Sequence, residues 1–391
     1  MGRSTGPGPP PAPDPCPPRN ERQPPDSAAM TLSPVFRSPS AVQLLRAEGI
    51  WERLEPAIAS QARAVATIRS DLAEILDPEF LREESGLPLK DGEADPEALG
   101  FLQEFFFLIL FRSLFESLGV RPERLDRYAE VNFCVKGTIT AADNLFDDQG
   151  KSLLPLEAGK GSRFLSILQL MCFERLIRRV LDRGVAAGEV EERQRDGVLK
   201  GLLDLMARIG QLEGSEEGGV SEIPTPEAMV ERVHRVRGGA LFALAFVPPR
   251  VLESGETLAR IQAAEPAVAR LGTAFQIVDD LTDFEFDLTR RSHNLLVAQV
   301  HHHGTALERA RLEALLAGAS PESGEVEGTF RTSARAVLER AYGEARQAFR
   351  ELAALGFWFP ERLAEEVVHA IVGLEGVRRM EEIAASPGAR S

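Results

Sequence analysis

Beyond residue 39, apolar residues recur at helical spacing through almost all of the chain, and no segment alternates as a strand would. The pattern predicts helices near residues 40–77, 95–119, 122–148, 161–184, 188–213, 226–251, 256–287, 302–317, 328–355 and 360–384. Two helix starts are marked by side-chain chemistry as well as by period. Asp95-Pro96-Glu97 and Thr225-Pro226-Glu227 each place a capping residue before a proline, whose missing N–H is harmless in the first turn. Gly119, followed by Val120-Arg121-Pro122, supplies a stop for the helix begun at Asp95. Residues 214–224 (GSEEGGVSEIP) read as a polar loop. No composition break divides the helical part and no repeat period shows. The expected architecture is therefore one all-α domain over residues 39–391, built as a helical bundle.

Residues 1–38 have another character. The stretch GPGPPPAPDPCPP cannot bury enough apolar surface to offset its ordering entropy, which predicts a disordered Pro-rich tail. Three readings of it stand side by side: a solvated extension, a segment that docks an unknown partner, and a true start at Met30. Prolines stand where a signal peptide would carry its apolar region. The most apolar run, Phe105–Phe111 (FFFLILF), falls short of the ~20 residues that span a bilayer, so no transmembrane segment is expected.

Composition narrows the function classes. With 391 residues, 43% of them hydrophobic, the chain can bury a large core. A net charge of −15 lacks the basic footprint of a nucleic-acid binder. Cys16, Cys134 and Cys172 are too scattered for a disulfide framework or a zinc site, and suggest a reducing, cytoplasmic setting.

The chemistry lies in two acidic segments. Gly272–Asp283 (GTAFQIVDDLTD) sets Asp279, Asp280 and Asp283 into sequence that otherwise reads as buried helix. Asp279 and Asp283 share a face at i, i+4, and Asp287 continues it. Upstream, ADNLFDD places Asp143 and Asp147 at the same spacing, with Asp148 beside them. Carboxylates on apolar helices need partners or cations. Oxygen-only ligands suit Mg²⁺, which binds through a few carboxylates together with substrate phosphates. If the two helices face each other, Asp143, Asp147, Asp148, Asp279, Asp280 and Asp283 would clamp two or three Mg²⁺ ions and, through them, a diphosphate. The bland alternative is two solvated helix ends, which a single DxxxD would favour and a pair does not. Basic candidates for the diphosphate are Lys136, two turns before Asp143, together with Lys151, Arg237, Arg290 and Arg291. Arg237 precedes GGALFALAF, a stripe of small and apolar residues suited to close helix packing. His301, His302 and His303 are adjacent and share no face, and His234 and His293 stand alone. No Ser-His-Asp signature, P-loop or dinucleotide fingerprint is present.

Gly272–Asp283 resembles the second aspartate-rich motif of trans-isoprenyl diphosphate synthases (polyprenyl synthetases), GxxFQxxDDxxD, at every fixed position. Arg237–Ala245 (RGGALFALA) is similar to the family's KTAxLFxxA segment, with Arg237 standing for the lysine. The resemblance covers roughly residues 100–300. It implies an isoprenoid-synthase bundle around a central apolar cavity, Mg²⁺, an allylic prenyl diphosphate and a homodimer. It also implies that Asp143, Asp147, Asp279, Asp280 and Asp283 serve metal, that Gln276 lines the reaction site, and that Arg237 meets the diphosphate. The implied chemistry is loss of pyrophosphate to leave an allylic carbocation, which a second isoprenoid such as isopentenyl diphosphate then attacks. The first motif departs from the family's DDxxD and arginine pair. DNLFDD followed by QGK looks more like the DxxxDD of squalene and phytoene synthases, and RRSHN replaces a downstream GKxT. The departures admit a class I terpene cyclase or a head-to-head synthase on the same fold, and a catalytically silent homologue that binds an isoprenoid or a partner.

Overall fold

The computed structural model describes residues 43, 45–82, 96–147, 150–157 and 161–385. The Pro-rich segment, the Asp95 cap and Asp148 lie outside the described residues. Five long helices come first: α1 Ile50–Ile75, α2 Pro96–Ser117, α3 Pro122–Asp147, α4 Ser162–Ala186 and α5 Glu192–Ser215. A composite rod follows, made of α6 Pro226–Met229, a π-helical run Val230–Gly239, α7 Ala240–Ala243, a 3₁₀ turn Leu244–Phe246 and α8 Val247–Leu252. Then come α9 Gly255–Thr282, α10 Phe284–Arg290, α11 Leu295–His303, α12 Ala306–Leu316, α13 Arg331–Ala354, α14 Ala364–Val368 and α15 Leu374–Ala384. Among the described residues the extended structure amounts to a single antiparallel bridge, Leu81 to Leu156. The all-α bundle expected from periodicity is thus what forms.

Start signals act where the sequence places them. The Thr225 side chain accepts from the Ala228 amide ahead of Pro226. The polar residue before LLVAQV, Asn294, caps α11 by accepting from Leu296 and Val297. The run predicted as one helix over 256–287 breaks at Asp283 (φ −102°, ψ 11°). Two groups end α9 there. The Thr282 hydroxyl donates to the Asp279 carbonyl, and Arg379 of α15 donates to the Leu281 and Thr282 carbonyls. The segment predicted over 302–317 likewise divides at Gly304, and α11 lies upstream of that prediction.

α9 packs most extensively against α13 on one side and the π run on the other, while α1 joins α2, α3 and α4. The crossing of the π run with α9 is a backbone contact. A Cβ added at Gly238 would sit 2.3 Å from the Gly272 carbonyl oxygen, and one at Gly272 would sit 2.2 Å from that of Gly238. Only hydrogen fits on either side. At Gly137 on α3 the Phe173 ring occupies the same kind of gap, 2.0 Å from a notional Cβ.

The length given to the most apolar stretch in the sequence is corrected, while the expectation of no transmembrane segment is not overturned. Ala98–Ser117 is long and apolar enough, by length and composition, to cross a membrane, with a mean hydropathy of 1.6. The phenylalanine run alone concealed this, because apolar residues continue on both sides of it. In the bundle 67% of that stretch is buried, against α1 and α3.

Candidate active site

The Gly238–Gly272 contact fixes what stands beside it. Arg237 lies one residue before the crossing on the π run, and Gln276 and Asp279 follow it by one and two turns on α9. Gln276 Nε2 donates to Asp279 Oδ2 at 3.1 Å. Burial pushes the Asp279 carboxyl well above the usual range, and the charges of Asp283 and Asp280 push it further. Arg237 pulls it back in part, while Asp143, from α3, adds to the rise. Carboxylates from the two predicted segments therefore share one electrostatic environment. Asp287 belongs to it as well. Burial and the charge of Asp280 raise its carboxyl to about 9, against a lowering hydrogen bond from Asn294.

The aspartates of the motif have different surroundings. Asp283 is exposed and Asp279 half-buried. Asp280 is 2% exposed, and its Oδ2 is taken from two sides. His234 Nε2 on the π run lies 2.9 Å away, and the Leu295 amide at the start of α11 donates to the same oxygen. Asn294 donates to the Asp280 carbonyl at 2.7 Å and to Asp287 Oδ2 at 2.9 Å. Asp280 thus ties α9 to the π run and to α11. Asp143 is exposed near the end of α3, and Asp147 is that helix's last residue.

The basic candidates separate in the same way. Lys136 Nζ donates to the Glu104 carbonyl at 2.6 Å and lies 4.6 Å from the centre of the Phe105 ring. Phe105 is where α2 leaves helical geometry (φ −109°, ψ 21°). Lys136 therefore satisfies the backbone at the α2 kink, and burial pulls its amine down to about 8. Lys151 is exposed. Its backbone is held by Asn144, which donates to its carbonyl at 2.7 Å, and by Gln169 at 3.2 Å. Arg290 is exposed, with its guanidinium 5.0 Å from the centre of the Phe286 ring. Arg291 ends α10 in the left-handed region at φ 56°. Arg237 is close to the carboxylates and is itself paired with Glu213 and Glu216.

One turn before Asp279, α9 enters a cluster of packed aromatic rings. Phe275 precedes Asp279 by one turn on the same face. Its ring lies 4.7 Å from Phe107 of α2 and 5.0 Å from Phe242 of α7.

Glu216, His234, His293, Asn294 and Arg379 were not singled out by sequence. Asn294 had a usable signal, a polar residue directly before an apolar helical run. The two histidines had none, because their acidic partners are 46 and 77 residues away in the chain.

Two bundles of known structure share this fold. A decaprenyl diphosphate synthase from Rhodobacter capsulatus superposes with a TM-score of 0.53 at 16% identity, covering 85% of this chain and 99% of its own. A polyprenyl synthase from Caulobacter crescentus CB15, complexed with calcium and isoprenyl diphosphate, gives 0.52 at 14% identity, covering 82% and 97%. No protein-family model matches the chain, and no curated protein does.

Proposed function

We propose that this protein is a Mg²⁺-dependent prenyltransferase of the polyprenyl synthetase type. It ionises an allylic prenyl diphosphate and joins the cation to a second isoprenoid such as isopentenyl diphosphate. What supports this reading most is that Asp143, from a separate helix, acts electrostatically on Asp279 together with Asp283, Asp280 and Arg237, one turn along α9 from the aromatic contacts of Phe275. The fold shared with the two synthases supports it. Among the described residues no three His, Cys, Asp or Glu side chains form a ready metal cage. The donor set nonetheless fits Mg²⁺, which takes a few carboxylates and completes its shell with substrate phosphates and water. Asp143, Asp279 and Asp283 are the residues to hold it, with Asp147 and Asp148 following Asp143 on the sequence motif. When bound, the ion supplies Lewis-acid withdrawal of charge from the departing pyrophosphate.

The chain's own groups do the rest of the work in this reading. Arg237 directs a guanidinium at the diphosphate, and Gln276 orients Asp279. Ionisation breaks the allylic C–O bond, and its electron pair leaves with the pyrophosphate; the double bond of the second isoprenoid supplies the electrons of the new C–C bond, and the cation so formed loses a proton to restore a double bond. Phe107, Phe242 and Phe275 keep water from the cation and offer it ring faces. Asp280 and Lys136, which the sequence offered as metal and phosphate ligands, act in this account as structural anchors. A homodimer accompanies the reading through the family resemblance alone, and a cytoplasmic setting through the scattered cysteines.

A second reading is a class I cyclase or head-to-head synthase. The observation favouring it is the half-buried Asp287, which continues the Asp279–Asp283 face by one more turn and is held there by Asn294. Product analysis decides between them. The protein is incubated with Mg²⁺ and C10, C15 or C20 allylic diphosphates, each with and without isopentenyl diphosphate. Longer diphosphates that form only with the co-substrate support the first reading. A hydrocarbon or alcohol from one diphosphate alone supports the second.

A further inference from the structure

The segment 214–224 reads in sequence as a surface connection, yet Glu216 within it is 7% exposed. Its Oε1 accepts from Arg237 Nη2 at 2.7 Å and lies 2.7 Å from His293 Nδ1. Its Oε2 accepts from the His293 amide at 3.1 Å. Glu213, near the end of α5, pairs with Arg237 Nε. The loop is strapped down beyond Glu216 as well. The Val220 amide donates to the Arg291 carbonyl at 2.8 Å, and Gly219, at φ 89°, lies against the Arg291 side chain.

A guanidinium is a planar fork. Glu216 accepts a hydrogen bond from its Nη2, and Glu213 forms an ion pair beside Nε, which leaves the Nη1 side for other partners. Two carboxylates on one arginine also outweigh its charge, so attraction of an anion by charge alone is not what this pairing provides. What it provides is direction.

We infer that Glu216 is the positioning residue of the site, holding Arg237 in the orientation that meets a diphosphate and coupling it through His293 to the α10–α11 connection. The inference rests on the diphosphate reading given above. Its electrostatics agree with it. Burial pushes the Glu216 carboxyl up, but the His293 hydrogen bond and the Arg237 charge hold it below the usual range, as a permanently charged anchor requires.

The test is calorimetric binding of inorganic pyrophosphate with Mg²⁺ to the full chain. The proteins are the wild type, Glu216→Ala, Glu216→Gln, Arg237→Ala, Asp279→Asn and the Glu216→Ala/Arg237→Ala double variant, each with its thermal midpoint recorded. Loss of a group that orients a ligand typically lowers affinity by about 10- to 100-fold. Glu216→Ala and Arg237→Ala are each expected in that range, and the double variant is expected to match Arg237→Ala alone. Glu216→Gln, which keeps an acceptor for Arg237, should recover part of the loss. If Glu216→Ala does not fold, the same cycle is run with Glu216→Gln, and the same non-additivity is expected. Affinity unchanged in the Glu216 variant while Arg237→Ala weakens binding overturns the inference. So do losses that multiply in the double variant. Binding that is absent in the wild type, or unaffected by Asp279→Asn, instead overturns the diphosphate reading and the inference with it.

Discussion

Replacing Gly238 by alanine tests how the bundle sets its site. The added Cβ would lie 2.3 Å from the Gly272 carbonyl oxygen and 2.9 Å from Gln276 Cβ, where ordinary contact begins near 3.4 Å. The obstacle is backbone on a buried helix, so the π run and α9 must part by about 1 Å. Overpacking of this kind costs ~1–3 kcal/mol, and alanine regains about 1 kcal/mol of helix propensity over glycine. The net expectation is a loss of about 0–2 kcal/mol in denaturant unfolding. Function should suffer more. Arg237 and Gln276 flank the crossing, and a misplacement of about 1 Å at a reacting centre can cost ~100-fold in turnover. Gly210→Ala is the control. Gly210 lies inside α5 with nothing within 4 Å of a notional Cβ, so it should gain up to about 1 kcal/mol and leave turnover alone. The reasoning is refuted if Gly238→Ala is as stable and as active as Gly210→Ala.

Asp280→Ala should destabilise the fold by ~3 kcal/mol, because it strips a buried histidine and a helix-start amide of their shared partner. Asp279→Asn should instead raise the metal-free melting temperature by relieving repulsion from Asp283, Asp280 and Asp143, while removing pyrophosphate release. Equal melting temperatures for the two variants would contradict the division of labour between these neighbours. For Lys136 the folded value of about 8 lies below the ordinary 10.5, so the unfolded chain holds a proton that the fold has released between those values. Wild-type stability relative to Lys136→Met should therefore climb from pH 8 to pH 10.5 in urea titrations, and a flat difference would exclude the buried-amine assignment. Arg379→Ala should cost ~2–3 kcal/mol by orphaning the last carbonyls of α9 and the carboxylates of Glu285 and Glu327. It should also weaken Mg²⁺–pyrophosphate binding, since Asp283 sits at that break; calorimetry showing wild-type affinity would disconnect α15 from the site.

The helical bundle was legible because its information is local. Period, proline starts and caps each act within a few residues, and Thr225-Pro226 behaves as its side chains dictate. The small-residue stripe after Arg237 was legible for a similar reason, since Gly238 leaves room for another backbone whatever that backbone is. The helix breaks were less so. Asp283 interrupts a segment whose apolar pattern runs on, and what ends α9 includes an arginine almost a hundred residues downstream. The aspartate motif marked a region without distinguishing the surroundings of its members. Adjacent carboxylates on a helix point about 100° apart. That places Asp279 toward Gln276 and Arg237, and Asp280 toward His234 and α11. Lys136 shares the Asp143 face by count, yet the kink in α2 presents it with a carbonyl that no pattern in α3 announces. Glu216 lies among acids in a loop, where its burial depends on the later return of His293.

The central claim is that the Asp279 cluster releases pyrophosphate from an allylic diphosphate. The direct measurement is pyrophosphate release from C10, C15 and C20 allylic diphosphates by wild type and Asp279→Asn, with Mg²⁺ and with a chelator. Release from at least one substrate that needs both Mg²⁺ and Asp279 is the predicted result. No release from any of the three by the folded wild type, or release that persists in Asp279→Asn, would contradict the account.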